Sequence, residues 1–474
     1  MLPVHRETLP TPNWSAALSA CAAGCSDSPA TPDASQPDAS QPDASSDAAS
    51  DGPAPTLMPR VIALSAMGHD RFYGVTYDGA GNIYAVGPVA DSTAATADQR
   101  SVVVRFRPDG QLDATFGQMG TATVNMVVGA TSEVARGVVV QPSGKVVIAG
   151  TVDVPGAMDT RDRNIGLARF NADGSVDTSF GTNGVVTLDL SAGEVVGTAY
   201  VADGFWGLAA YPDGRLLLTG SQKRTGGTDS DFAVVRLSAD GARDAAFASN
   251  GVYALDINNR DATPRTSSIL PDGSTISSGY MTESDVVRPV VFKLTPAGAP
   301  DRSFGTNGVF SQPVLAAATE VYAVGLQGAN LVTAGDGRNA ATESLDWLSL
   351  RITAAGALDT TYGTMGYARL DLNSFNDNAR SVAVLPDGRV LLVGGGRPTE
   401  TNSDAMLGVL TANGARDATF GANGLRTFDL GGASDFFWGV AVAPSGRQAA
   451  VVGAKGVGTG GTGNDDAAIL LLPL

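Results

Sequence analysis

Two cysteines, two histidines and four lysines are all that 474 residues hold of these types, and each scarcity excludes a class of chemistry. Cys21 and Cys25 both precede the first repeat described below, so the rest of the chain has no disulfide, no thiolate ligand and no cysteine nucleophile. His5 and His69 are too few for the usual histidine metal sites. A Ser/His/Asp triad is hard to assemble around His69, which reads as a solvated loop residue. No apolar run approaches the ~18 residues that a membrane-spanning helix needs. Basic residues number 31 against 48 acidic ones, a formal charge of -17, which disfavours nucleic acid because phosphates demand a basic face. The lysines are scattered (Lys145, Lys223, Lys293, Lys455), and no Lys/Arg cluster offers itself to an anionic membrane surface. Cationic partners or metal ions suit this charge better.

What the chain has instead is repetition. The stretch Asp177-Thr178-Ser179-Phe180-Gly181-Thr182-Asn183-Gly184 recurs in variant form, with copies beginning at Asp113, Asp177, Asp244, Asp301, Asp359 and Asp417 and successive steps of 64, 67, 57, 58 and 58 residues. A period near 60 marks a repeat architecture, and the chain is longer than one hydrophobic core usually spans. Residues 137–190 make the cleanest unit. A β-rich run at 137–141 meets a Pro142-Ser143-Gly144 turn, a second run ends at Gly150, a third strand spans 165–170, and a fourth follows the signature at 184–190.

The first hairpin turn has seven versions, at 79–81, 142–144, 212–214, 271–273, 327–328, 386–388 and 444–446. The strand after it closes on Gly87, Gly150, Gly220, Gly279, Gly335, Gly394 and Gly453. The fourth strand appears only six times within the array, because the chain ends just after the last third strand at 467–472. Residues 60–65, before the first hairpin, read like that missing strand. The expectation is an all-β, seven-bladed β-propeller of four-stranded antiparallel blades over 60–474, closed by an amino-terminal strand completing the last blade. An open solenoid is the alternative, which the leftover first strand and missing last strand argue against.

The signature, the Pro-Asp-Gly-Arg/Lys turn and Arg-Phe-Asn-Ala-Asp-Gly at 169–174 resemble the bacterial delta-60 repeat family over about residues 60–474. That resemblance implies a β-propeller, often secreted or surface-attached, with no established activity. Departures are local. Ala248 stands for the signature glycine, Met119 and Met365 for its asparagine, and Val409 for the third-strand base seen at Arg105, Arg169, Arg236, Lys293 and Arg351. Because Val409 leaves Asp417 without that base, an ion pair between the two positions reads as dispensable.

Residues 1–25 form a degenerate signal segment. Leu18-Ser19-Ala20-Cys21 has the form of a bacterial lipobox with Cys21 as the lipidation site, although Pro10, Pro12 and Asn13 interrupt the expected apolar stretch. An unprocessed tail is the other reading. Residues 26–59 carry aspartates, no basic residue before Arg60 and the pentapeptide Gln-Pro-Asp-Ala-Ser twice, the composition of an extended linker. The two segments together suit a tether at the bacterial cell envelope, as an outer-membrane lipoprotein, or a secreted protein.

Turns after strands one and three repeat, whereas the connections at 88–100, 153–164, 191–205 and 455–465 vary, so the variable set marks the face on which a ligand site would evolve. An acidic residue recurs four positions before each innermost strand at Asp70, Glu133, Asp203, Asp377 and Asp435, with Asp261 and Glu320 within about one position of that register. Seven carboxylates at one channel mouth suit a Ca²⁺ site; alternatively each caps nearby backbone amides. Tyr73, Trp206, Phe375 and Trp438 stand beside them, as a stacking surface or as wedges between blades, together with Tyr322. Gly460-Gly461-Thr462-Gly463-Asn464-Asp465 matches one copy of a calcium-binding nonapeptide, which works only when stacked, and reads as a turn. The functional expectation is a non-enzymatic binding or scaffold protein with a protein or glycan partner. The alternatives are a Ca-dependent, lactonase-like hydrolase and a surface spacer without a ligand.

Overall fold

A computed structural model describes residues 57–66, 68–90, 98–127, 132–153, 163–191, 194–196, 199–201, 203–223, 229–372, 375–457 and 464–474. The lipobox with Cys21, the linker up to residue 56 and positions 460–463 of the nonapeptide-like stretch lie outside them. Among the described residues there is no helix. The strands assemble into antiparallel sheets of four, two of which are joined into one sheet of eight by a single parallel pairing, Val287 with Ala318. In each, consecutive strands are neighbours, as in Glu133–Val140, Val146–Asp153, Arg163–Phe170 and Val185–Leu188.

Burial explains the residue types. Ile83–Ala90 and Val390–Gly396 are buried at every position, because sheets pack on both of their faces, and they read as continuous apolar runs. Fourth strands such as Thr121–Val124 bury only part of their surface and carry mixed residues. The leading strands Gly74–Tyr77, Glu133–Val140, Gly204–Ala210, Ala262–Ile269, Ala318–Gln327, Asn378–Val384 and Phe436–Val442 lie each against the next, and Phe436–Val442 lies against Gly74–Tyr77. Arg60–Ile62 pairs with Asp466–Pro473 through Arg60 opposite Ile469, Val61 opposite Ala468 and Ile62 opposite Ala467. This strand is three residues long, shorter than the stretch to Ser65 expected from sequence.

The signature is an interface device. Phe116, Phe180, Phe247, Phe304 and Tyr362 are buried, and the next residue donates its N–H to the following sheet in Gly117 to Asp173 (2.7 Å), Ala248 to Ala297 (2.8 Å), Gly305 to Ala355 (2.8 Å) and Gly363 to Asn413 (2.8 Å). The chain must turn through left-handed backbone to do this, with φ 51° at Gly181, 53° at Asn183 and 92° at Gly184. Ala248 takes φ 45° at the glycine position, and a Cβ at the equivalent Gly305 would collide with the Val309 carbonyl. The tight turn has opened in response. Ser249 N to Val252 O is 3.1 Å, against 2.7 Å for Gln118 to Thr121 and 2.8 Å for Thr182 to Val185. Ala248→Gly is therefore expected to raise stability by about 0.5–1 kcal/mol in chemical denaturation, the direction opposite to an ordinary alanine-to-glycine change.

Two sequence readings are corrected here. The ion pair between signature and third strand is present as Arg105–Asp113 (2.8 Å), Arg169–Asp177 (2.6 Å), Arg236–Asp244 (2.8 Å), Lys293–Asp301 (2.9 Å) and Arg351–Asp359 (2.8 Å). Asp417 does not do without: Arg389, from the hairpin turn, reaches it at 3.0 Å in place of Val409. Nor do the closing glycines end their strands. Gly150 lies inside Val146–Asp153, because a Cβ there would collide with the Val134 carbonyl of the leading strand, and Gly87, Gly220, Gly279, Gly335, Gly394 and Gly453 each face a leading-strand carbonyl in the same way.

Candidate site on the leading strands

Those glycines make room for a β-bulge. The leading strands slip register between Ala135 and Gly137, Phe205 and Gly207, Pro264 and Ser267, Val321 and Ala323, Ala379 and Ser381, and Phe437 and Gly439. A bulge takes one residue out of the ladder and re-aims its side chain. The residues so released are Arg136, Trp206, Arg265 with Thr266, Tyr322, Arg380 and Trp438, and Tyr73 sits at the matching place before Gly74. In chain order they run Tyr73, Arg136, Trp206, Arg265, Tyr322, Arg380, Trp438, so aromatic and guanidinium groups alternate.

They also touch in that order. The guanidinium of Arg136 lies 5.4 Å from the Tyr73 ring centre and 5.9 Å from Trp206. Arg265 lies 4.8 Å from Trp206 and 4.4 Å from Tyr322, and Arg380 lies 3.8 Å from Tyr322. Trp438 meets Tyr73 with ring centres 4.9 Å apart, and Arg71 covers Trp438 at 5.6 Å. Cation–π contact between stacked groups is worth ~0.5–2 kcal/mol each, more as water is excluded. Arg265 is fully buried, Arg380, Tyr322, Tyr73 and Trp438 are buried, and Arg136 and Trp206 are half-buried. Beside the arginines, Glu320 accepts from the Tyr322 hydroxyl at 2.7 Å, and Asp336 accepts from Asn378 Nδ2 at 3.1 Å. Burial, reinforced by the neighbouring Glu320, pushes the Asp336 carboxyl well above its ordinary range.

Two residues before the bulge stand the carboxylates expected at the mouth, and five of them are occupied by backbone. Asp70 accepts from Leu64 N (2.5 Å) and Ser65 N (3.3 Å), and Glu133 from Val127 N (2.6 Å). Asp203 accepts from Leu190 N, Ser191 N (3.1 Å) and Ser191 Oγ (2.6 Å). Asp377 accepts from Leu372 N (2.9 Å) and Arg397 N (3.0 Å), and Asp435 from Leu430 N (2.6 Å), Gly432 N (3.3 Å) and Gly456 N (3.1 Å). Each clamps the connection entering its leading strand. Burial, opposed by these amide bonds, pushes Asp70 up to about 7 and Asp203 and Asp377 up to about 6. It also raises Glu133 and Asp435.

Asp261 and Glu320 leave this pattern. Thr319 takes the clamping place instead, its Oγ1 accepting from Leu315 N at 2.9 Å, while Ala262 fills the register beside exposed Asp261, which accepts from Ser230 N at 3.1 Å. Among the described residues, the acidic groups close enough to share an ion are Asp229, Asp231 and Asp256, and Asp346, Asp371 and Asp377. Only Asp377 of the seven belongs to either set.

The aromatics divide by register. Tyr73, Trp206, Tyr322 and Trp438 join the alternating series, whereas Phe72, Phe205 and Phe437 wedge into the cores between sheets. Phe375 is half-buried in the connection before Asn378–Val384 and takes no part in the series. His69 is not a solvated loop residue: its Nδ1 accepts from Asp465 N at 3.0 Å. Asp465, the end of the nonapeptide-like stretch, is buried and pairs with Arg71 Nε at 2.8 Å. Sequence reading missed Arg136, Arg265 and Arg380. The signal was available, since each stands at a fixed offset from its hairpin turn, where the other copies have an aromatic residue.

Comparison with known proteins bears on the fold. No curated protein matches the sequence. Among solved structures, Sqt1 from Chaetomium thermophilum is 12% identical with a TM-score of 0.43, covering 88% of this chain and 100% of its own. The β-propeller domain of the Trilobed protease from Pyrococcus furiosus is 10% identical with a TM-score of 0.41, covering 85% and 94%. A family model described as a β-propeller domain of unknown function, DUF5122, matches residues 92–116, 141–180 and 212–247. With its helix-free, four-stranded antiparallel sheets, the chain is an all-β protein of the β-propeller kind, similar over those three segments to the DUF5122 family.

Proposed function

We propose that this protein is a seven-bladed β-propeller, closed by Arg60–Ile62, that serves as a non-enzymatic binding scaffold at the bacterial cell envelope and receives a protein or glycan partner on its variable face. The pairing of Arg60–Ile62 with Asp466–Pro473 and the cyclic contacts of the leading strands support the closure. One observation carries the binding reading. The carboxylates at the strand entrances are spent on backbone amides, while the bulge positions beside them carry a different aromatic or basic residue from copy to copy. What repeats serves the fold, and what varies is free to serve a ligand. The tether rests on the sequence of residues 1–59 alone, and loss of membrane association in Cys21→Ser is its test.

Binding of the full chain to a glycan array and to envelope protein fractions, with Trp206→Ala and Arg136→Ala in parallel, tests the binding reading. Saturable binding weakened about tenfold or more by either change is the expected result. Binding that both variants leave untouched would move function off this face. The Ca-dependent hydrolase retains one favouring observation, the Asp346, Asp371 and Asp377 group. Asp346 is already paired with Arg369 at 2.5 Å and Asp377 with two amides, so the scaffold reading is preferred. A calorimetric calcium titration decides between them, the hydrolase requiring a saturable heat that Asp371→Asn abolishes.

A further inference from the structure

Guanidinium groups taken out of water need acceptors, and those of the alternating series lack them. Arg136 and Arg380 make neither a hydrogen bond nor an ion pair among the described residues; their polar contacts are with aromatic faces. Arg136 Nε, and Nε and Nη1 of Arg380, are fully shielded and without a partner. The indole N–H groups of Trp206 and Trp438 are donors in the same condition. Arg380 is 8% exposed and Trp438 5%, so bulk water does not satisfy them. Leaving such groups empty costs ~1–3 kcal/mol apiece, more when charged.

Geometry sets where these donors point. A guanidinium lying against an aromatic face keeps its N–H bonds in its own plane, away from the ring and towards whatever stands between neighbouring strands. Protein acceptors nearby are few: Glu320 is engaged by Tyr322, and Asp336 makes no ion pair with Arg380 among the described residues. A cationic, donor-rich patch is thus enclosed in a chain whose formal charge is -17.

We propose that the alternating series is a binding site for a small oxyanion, a carboxylate or phosphate group, held by the guanidinium N–H groups of Arg136 and Arg380 with the indole N–H groups of Trp206 and Trp438. Forked guanidinium donors match the two oxygens of such a group, and the aromatic faces hold the forks in place beforehand. Half-buried Arg136 and Trp206 form the side from which the anion enters. The site deepens the binding reading above by assigning the partner an anionic group.

Calorimetric titration of the full chain with inorganic phosphate and, separately, acetate, at constant ionic strength in sodium chloride, tests this. Saturable binding of one probe in the millimolar range or tighter is expected, with the stronger probe identifying the group. Arg136→Met and Arg380→Met each keep the stem against the rings and remove the donors, and a loss of about tenfold or more is expected from either. Arg136→Met, on the half-buried side, remains a test if Arg380→Met does not fold. Arg107→Met, at an exposed turn, is the control and should bind as the parent does. No saturation with either probe, or affinity unchanged in the methionine variants, overturns the site. Failure here alongside Trp206-dependent glycan or protein binding removes the oxyanion and leaves the scaffold reading standing.

Discussion

Ile62→Asp is expected to destabilise the protein by about 3 kcal/mol or more and to lower the cooperativity of unfolding, read by urea denaturation followed through tryptophan fluorescence. Ile62 is 9% exposed and shares a core with Val104, Ala467 and Ile469. A carboxylate there has no partner for its charge. Its strand is only three residues long, so little else retains it: Arg60 Nη1 adds one bond to Gly110 O at 3.2 Å. The strand also leads to Leu64 and Ser65, whose amides Asp70 receives, and releasing it strands that buried carboxylate. Once it is lost, Asp466–Pro473 becomes an open edge with unpaired backbone groups. Val61→Asp, on the exposed side of the same strand, should cost less than ~1 kcal/mol. Equal effects at the two positions would remove the amino-terminal strand from the account of how the propeller closes.

Asp435→Ala is expected to cost about 2–4 kcal/mol, because it strips acceptors from the amides of Leu430, Gly432 and Gly456 at once. Calcium should leave the melting temperature of both parent and variant unchanged. A metal ligand would behave oppositely, with a small cost in apo protein and lost stabilisation by calcium. The same clamps set a pH dependence. Asp70, Asp203 and Asp377 have folded pKa values raised to about 7, 6 and 6, above their ordinary value of 3.8. The folded state therefore holds their protons more tightly than the unfolded chain. Their contribution is complete below about pH 4 and is lost as pH rises through 6 to 7. Asp301, lowered to about 2 by Ser303 and Lys293, acts the other way, its contribution present above pH 4 and lost only towards pH 2. Denaturation midpoints should thus fall from pH 4.5 to pH 7.5, less steeply in Asp203→Asn. A midpoint that rises over that interval would mean that the amide donors outweigh burial at these carboxyls.

Local conformational demands repeat in every copy and so are written in the sequence. A turn that needs left-handed backbone needs Gly81 or Gly144, and a signature that crosses to the next sheet needs Phe180, Gly181 and Asn183, whatever the rest of the chain does. Strand order, sheet size and the amino-terminal strand opposite residues 467–469 were legible for this reason. The glycines at 150 and 220 were visible too, but their cause was not: each answers to a carbonyl on another strand, so they read as strand ends.

Two matters were decided by tertiary structure alone. A carboxylate at the mouth of a strand serves a metal or an amide equally well in sequence, and only the approach of Leu430, Gly432 and Gly456 to Asp435 made it a clamp. Arg136, Arg265 and Arg380 lie more than a hundred residues apart, each in an unremarkable apolar strand, and nothing local marks them. The bulge expels one residue per strand, and packing the leading strands side by side lines the expelled residues up with Tyr73, Trp206, Tyr322 and Trp438. Periodicity determined the scaffold because each copy must solve the same local problem. The site waited on the fold because its residues meet only across strands that the chain brings together last.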